Sequence, residues 1–328
     1  MYKMNNWILS LVQKVKEGKE VNREEAERLI SLKKDFIHVL LYAGTELRIH
    51  FKRNLIKTCS IINAKSGRCS EDCRFCAQSA HYDTDIKTYS LLTADEIISH
   101  ALKEELLSRR FGIVTSGRKL NIDELKNIEN TISKFIEKKL NQLPCASLGL
   151  LDENDFLRLK KAGLTRYHHN LESSKNFFPQ ICTTHTYEDK IKTIYYAKKA
   201  GLEVCVGGIF GFSESNQDKL DLLFEIKGCD PDSVPLNFLI PIKGTPFYDI
   251  KPLSLWEAIK IIAVSRFLMP NKDIKLGAGR LEIFRDSQSL VFLAGANGMI
   301  VGNLLTVKGR NPEDDLNLIE NLGFNIEP

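Results

Sequence analysis

The chain has 328 residues, 43% of them hydrophobic, and 46 basic residues against 42 acidic ones give a net charge of +4. That length allows one large α/β domain or two small ones with a sizeable core, while the interspersed, nearly balanced charge gives no footprint for nucleic acid. No apolar run approaches the roughly 20 residues that cross a bilayer. The opening residues MYKMNNWILSLVQK hold neither a long apolar core nor a small-residue cleavage site. A cytoplasmic protein is therefore expected, with its eight cysteines serving as ligands or buried thiols rather than disulfides.

Residues 1–50 are expected to form a helical lead-in and residues 51–328 one barrel domain. Asn22 followed by Glu25 is a capping box for a helix carrying Ala26, Leu29 and Ile30, and the run from Phe36 to Phe51 is amphipathic. From Leu55 onward strand-like and helical segments alternate. Strands are expected near Ile56–Ile62, Gly112–Thr115, Pro144–Ser147, Arg166–Asn170, Glu203–Gly207, Val234–Phe238, Ile274–Gly277 and Met299–Gly302. Capped helices are expected after Thr93, Asp152 and Thr186, and the last two end in a repeated KKAGL element at Gly163 and Gly201. Eight βα units predict an α/β fold of the (β/α)8 TIM-barrel type, with a doubly wound open sheet as the alternative.

Chemistry concentrates first in NAKSGRCSEDCRFCAQSAHY, where Cys69, Cys73 and Cys76 follow the first strand with C-x3-C-x2-C spacing. A structural zinc site or an electron-transfer cluster takes four protein ligands. Three thiols with no fourth nearby would leave one iron of a 4Fe–4S cluster open to a ligand, and a partial zinc knuckle is the alternative. This arrangement resembles the radical S-adenosylmethionine superfamily. That resemblance implies S-adenosylmethionine at the open iron, with Phe75 near its adenine and Gly207-Gly208 near its methionine part. Those glycines also suit an ordinary tight turn.

Cys59, Cys145 and Cys205 fall on expected strands one, three and five, and Lys275 on strand seven. Barrel interiors are filled in layers drawn from alternate strands, so the four would face one another if their registers agree. Three such thiols either hold a second metal–sulfur cluster or are small buried hydrophobes. Cys182 and Cys229 are read as structural. Asn170 and Asn237, at the ends of strands four and six, could donate and accept toward an amide-like group, or could cap turns.

The segments YHHNLESS, TTHTYEDK, VCVGGIFGFSE, DSVPLNFLIPIKGTP, KLGAGR and FLAGANGMIVGNLLT, added to the cysteine loop, extend the resemblance to the biotin synthase family over Leu55–Pro328. It implies a homodimeric barrel enzyme that makes biotin from dethiobiotin by radical sulfur insertion, served by an electron donor such as flavodoxin or ferredoxin. It implies 4Fe–4S ligation by Cys69, Cys73 and Cys76, dethiobiotin-ring contacts from Asn170 and Asn237, and contact of the substrate carboxylate with the segment of Thr306. Glu172 would lie near the S-adenosylmethionine ribose and Lys190 near its carboxylate.

The commoner family pattern holds an auxiliary 2Fe–2S cluster with three cysteines and an arginine. Cys145 and Cys205 match two of these cysteines. Gly112 stands where the third would be, Lys275 where the arginine would be, and Cys59 replaces a hydroxyl residue. The expectation is that Cys59 supplies the missing thiol to a variant auxiliary iron–sulfur cluster. A related radical enzyme without sulfur insertion, a mutase or cofactor maturase, and a non-catalytic electron carrier or metal-binding module are the alternatives.

Overall fold

The computed structural model describes residues 2–327. Three helices lead in: α1 (Tyr2–Lys16), α2 (Arg23–Ile30) and α3 (Ile37–Lys52). Asn22 caps α2 as its sequence predicts, its side chain accepting from the Glu25 amide while Glu25 returns the bond. The barrel runs β1 (Leu55–Lys65), α4 (Ala94–Lys103), β2 (Arg110–Thr115), α5 (Ile122–Glu137), β3 (Leu143–Ser147), α6 (Glu153–Ala162) and β4 (Arg166–His168). It continues through α7 (Tyr187–Lys199), β5 (Glu203–Cys205), β6 (Gly208–Phe210), α8 (Asn216–Gly228), β7 (Ser233–Phe238), α9 (Leu255–Leu268) and β8 (Asp273–Leu276). Short helices α10 (Arg280–Phe284) and α11 (Leu290–Leu293) precede β9 (Gly298–Ile300), and α12 (Pro312–Asn321) and β10 (Asn325–Ile326) follow.

The pairings between these strands are parallel, and β1 meets both β2 and β9, which closes the barrel. The open-sheet alternative is thereby excluded. All eight expected strand positions are occupied. The fifth is split, because β5 and β6 pair in turn with β7 across a break at Val206-Gly207. Gly207 is required there: a Cβ at that position would stand 1.9 Å from the Pro235 carbonyl oxygen. The KKAGL helices stop as expected, with Gly163 and Gly201 at φ of 111° and 75°, where an L side chain is strained.

Two buried charge clusters fasten the ends. Asp273 bonds Lys52 of α3 (2.6 Å), Lys57 of β1 (3.1 Å) and Asn297 (3.0 Å). Burial opposes its ionisation, but Lys52, Lys57 and Lys275 outweigh that and hold its carboxyl well below the usual range. Its contribution to stability is therefore complete above the unfolded-state value of about 3.9 and lost as pH falls through the depressed folded value. Asp273→Asn is expected to flatten the acid limb of the stability-versus-pH curve below about pH 4, read by urea unfolding at a series of pH values.

At the other end, Arg280 forms a two-pronged pair with Asp315 of α12 (2.6 and 3.1 Å), and Gln288 takes a further guanidinium hydrogen (2.7 Å). Both charged side chains are almost wholly buried. Asp315→Ala is expected to cost about 3–5 kcal/mol, because it leaves the guanidinium buried and uncompensated. Urea denaturation midpoints measure that loss.

Candidate active site

A cavity of about 430 Å³ opens inside the barrel. It is lined by Cys69, Cys73 and Cys76, by Cys59, Cys145, Cys205 and Lys275, and by Phe75, Asn170, Glu172, Lys190, Asn237 and Thr306. Gly207 and Gly208 do not line it. Gly207 lies tight against β7, and the Gly208 carbonyl accepts from Asn237 Nδ2 (3.3 Å), so both shape the wall that carries Asn237.

The cysteine loop is built by its own backbone. Cys69 N–H donates to Gln78 O (2.9 Å), Ala80 N–H to Cys69 O (2.8 Å) and Cys76 N–H to Cys73 O (2.9 Å). Gly67 (φ 74°) and Arg68 (φ 49°) turn the chain from β1 into the loop. Asp72 straps it to the segment before α7 by accepting from the amides of Thr183 (2.8 Å) and Thr184 (3.2 Å). Burial pushes the Cys76 thiol up to about 11 and raises Cys69 as well. Cys73 is raised by its hydrogen bond with Cys182 and then by burial. Burial therefore favours the protonated thiols, and a bound cation is what would hold all three as thiolates. The donor set of three soft ligands on one loop suits iron with sulfide.

The polar wall is also open to a ligand. Asn170 Oδ1, Glu172 Oε2 and His169 Nε2 are buried without partners, a cost that a polar ligand would relieve. Glu172 sits at φ 69°, and Lys190 Nζ lies 3.8 Å from its carboxylate and donates to Asn170 O (3.1 Å). Asn237 is half committed: its Oδ1 accepts from the Ala278 amide (3.0 Å). Burial lowers His168 to about 4, so it stays neutral at ordinary pH. Phe75 packs against Phe212 with ring centroids 5.6 Å apart.

The second set of thiols faces the cavity from different strands. Lys275 Nζ donates to Cys59 Sγ (2.9 Å). In the strand register Gly112 stands between Ile61 and Cys145. Sequence reading missed two arginines here. Arg110 donates to Cys145 Sγ (3.7 Å), and both Arg110 and Arg166 bind Glu203 (each 2.7 Å). Burial pushes the Cys145 thiol up, and the two guanidinium charges offset part of that. Their signal was the direct β-register of Arg166 with Cys145, which is legible only once the strands are paired. Cys182, read as structural, instead lies beside Cys73 and His185.

The Radical SAM superfamily pattern matches residues 64–226, and the Biotin and Thiamin Synthesis associated domain matches residues 235–325. A biotin synthase from Citrifermentans bemidjiense is 43% identical over 322 residues, covering 98% of each chain. One from Thermotoga neapolitana is 51% identical over 273 residues, covering 83% of this chain and 97% of its own. Among solved structures, methylornithine synthase (PylB) superposes with a TM-score of 0.84 at 20% identity, covering 97% of each chain. The FeFe-hydrogenase maturase HydG from Carboxydothermus hydrogenoformans superposes with a TM-score of 0.82 at 16% identity, covering 99% of this chain and 82% of its own. These two likenesses establish a shared fold.

Proposed function

Because this chain belongs to the biotin synthase family of radical S-adenosylmethionine enzymes, we propose that its barrel cavity converts dethiobiotin to biotin by sulfur insertion. The observation that carries this reading is one cavity lined by two separate sets of three thiols. When bound, a 4Fe–4S cluster with S-adenosylmethionine supplies a carbon radical able to remove hydrogen from an unactivated C–H bond, and an auxiliary iron–sulfur cluster supplies sulfur.

The chain's own part is holding, orienting and excluding water. Cys69, Cys73 and Cys76 would hold the first cluster. Phe75 offers an apolar face to adenine, Glu172 accepts from ribose hydroxyls, and Lys190 meets the methionine carboxylate. Asn170, whose Oδ1 is buried and free, accepts from a ureido N–H, and Asn237 keeps one Nδ2 hydrogen for the ureido oxygen. Thr306 would meet the carboxylate tail. Leu304, Leu305 and Val307 beside it cover the cavity with apolar surface that keeps water from a reactive carbon.

Cys59, Cys145 and Cys205 would hold the auxiliary cluster, a 2Fe–2S or one of another nuclearity. Protonated Lys275 has no lone pair, so it serves as a hydrogen-bond donor to sulfur rather than as a ligand. A flavodoxin- or ferredoxin-type reductant, a cytoplasmic homodimer, and a division between a lead-in of residues 1–50 and a barrel domain of residues 51–328 complete the reading. Among the described residues no helix is long and apolar enough to cross a membrane.

The test is an anaerobic reaction of reconstituted, reduced protein with S-adenosylmethionine and dethiobiotin, read by mass spectrometry. Biotin together with 5′-deoxyadenosine is expected. Deoxyadenosine without biotin, from protein shown to contain both clusters, would replace this reading with a mutase- or maturase-type reaction.

A further inference from the structure

Two thiols, Cys182 and Cys229, fall outside the two sets above, and the surroundings of Cys182 are those of a metal ligand. Ligand atoms of Cys73, Cys182 and His185 all lie within 4.8 Å of one another. Cys182 Sγ is 3.3 Å from His185 Nδ1, and Glu71 Oε2 is 2.5 Å from the same nitrogen. Zinc bonds of about 2.3 Å to sulfur and 2.0–2.1 Å to nitrogen, at tetrahedral angles, place neighbouring donors about 3.5–3.8 Å apart. The Cys182–His185 separation is already close to that range. Glu71, Cys182 and His185 are all at least nine-tenths buried, and Phe178 closes the group from one side, its ring centroid 5.6 Å from that of His185.

We infer that in the cluster-free protein Cys73, Cys182 and His185, with Glu71 as fourth ligand, hold one zinc-type divalent cation. Two thiolates, an imidazole and a carboxylate form a donor set of the kind zinc takes in closed tetrahedral sites. The ion would take both sulfurs as thiolates and His185 Nδ1 without its proton, and Glu71 would move from that nitrogen onto the metal. Cys73 cannot serve this ion and an iron–sulfur cluster together, so the two occupants exclude each other. This exclusion rests on the proposed 4Fe–4S reading, whereas the cation site itself does not.

The probe is Co²⁺, added anaerobically to full-length, chelator-stripped, reduced protein. A Cys59→Ser/Cys145→Ser/Cys205→Ser background removes the thiols of the second set. One Co²⁺ per chain is expected, with the intense visible absorption of a tetrahedral thiolate site and displacement by one equivalent of Zn²⁺. Cys182→Ser and His185→Gln should each weaken binding by more than ~100-fold, beyond the loss an outer-shell change produces. Cys69→Ser, which removes a loop thiol outside the group, should leave the spectrum unchanged. Circular dichroism of each variant controls for folding.

Cobalt binding that survives Cys182→Ser but disappears with Cys69→Ser would overturn the inference and assign the metal to the three-cysteine loop. Absence of any tetrahedral thiolate spectrum would overturn it as well. Neither result depends on iron, sulfide or S-adenosylmethionine, so failure here leaves the proposed enzymatic reaction standing.

Discussion

Cys76→Ala is expected to abolish 5′-deoxyadenosine formation, with a loss on the order of a thousandfold or more, and to leave the protein folded. Cys76 is one of only three thiols on its loop, so a cluster held there has no spare ligand. The loop's shape does not depend on the side chain. Cys76 contributes its amide to Cys73 O (2.9 Å) and its carbonyl to Ser79 N–H (3.3 Å), and alanine keeps both. Asp72 and the Thr183 and Thr184 amides hold the loop to the barrel independently of the thiols. The measurement is 5′-deoxyadenosine release under reducing, anaerobic conditions, with iron content and melting temperature beside it. A folded variant that still cleaved S-adenosylmethionine at the parent rate would remove Cys76 from the site.

Cys59→Ser is expected to separate the two halves of the chemistry. Iron at the cysteine loop and release of 5′-deoxyadenosine should persist, while the auxiliary iron and biotin formation are lost. Serine keeps the volume and a hydrogen-bond partner for Lys275, but its alcohol is a poor ligand for iron beside sulfide. The neighbouring position cannot take over. A Cβ at Gly112 would come within 3.0 Å of Ile61 Cγ2, so the space a thiol would need there is partly filled by Ile61. Cys59, two residues earlier on the same strand as Ile61, faces the cavity with Cys145 and Cys205 and receives the Lys275 ammonium at 2.9 Å. Iron and sulfide analysis with optical spectra decides the matter. An auxiliary cluster unchanged in Cys59→Ser would show that Cys145 and Cys205 find their third partner elsewhere.

The parts of this protein that its sequence determined are those encoded over short distances. The three loop cysteines lie within eight consecutive residues, so their common site was readable without a fold. The capping residues Asn22 and Thr93 act on amides three residues ahead, and those helix starts were placed correctly. The eight strand positions followed from apolar runs between capped helices, though not the break that splits the fifth. That break follows from the close approach of Gly207 to β7, a contact between segments almost thirty residues apart.

Only the tertiary structure decided which side chains share a cavity across strands. The arginines beside Cys145 come from positions 110 and 166, brought there by parallel register. Cys182 meets Cys73 because Asp72 binds the turn before α7, some 110 residues further along the chain. Local propensity acts over a few residues, whereas the alignment of strands and the docking of loops are fixed by packing and buried hydrogen bonds summed over the closed barrel.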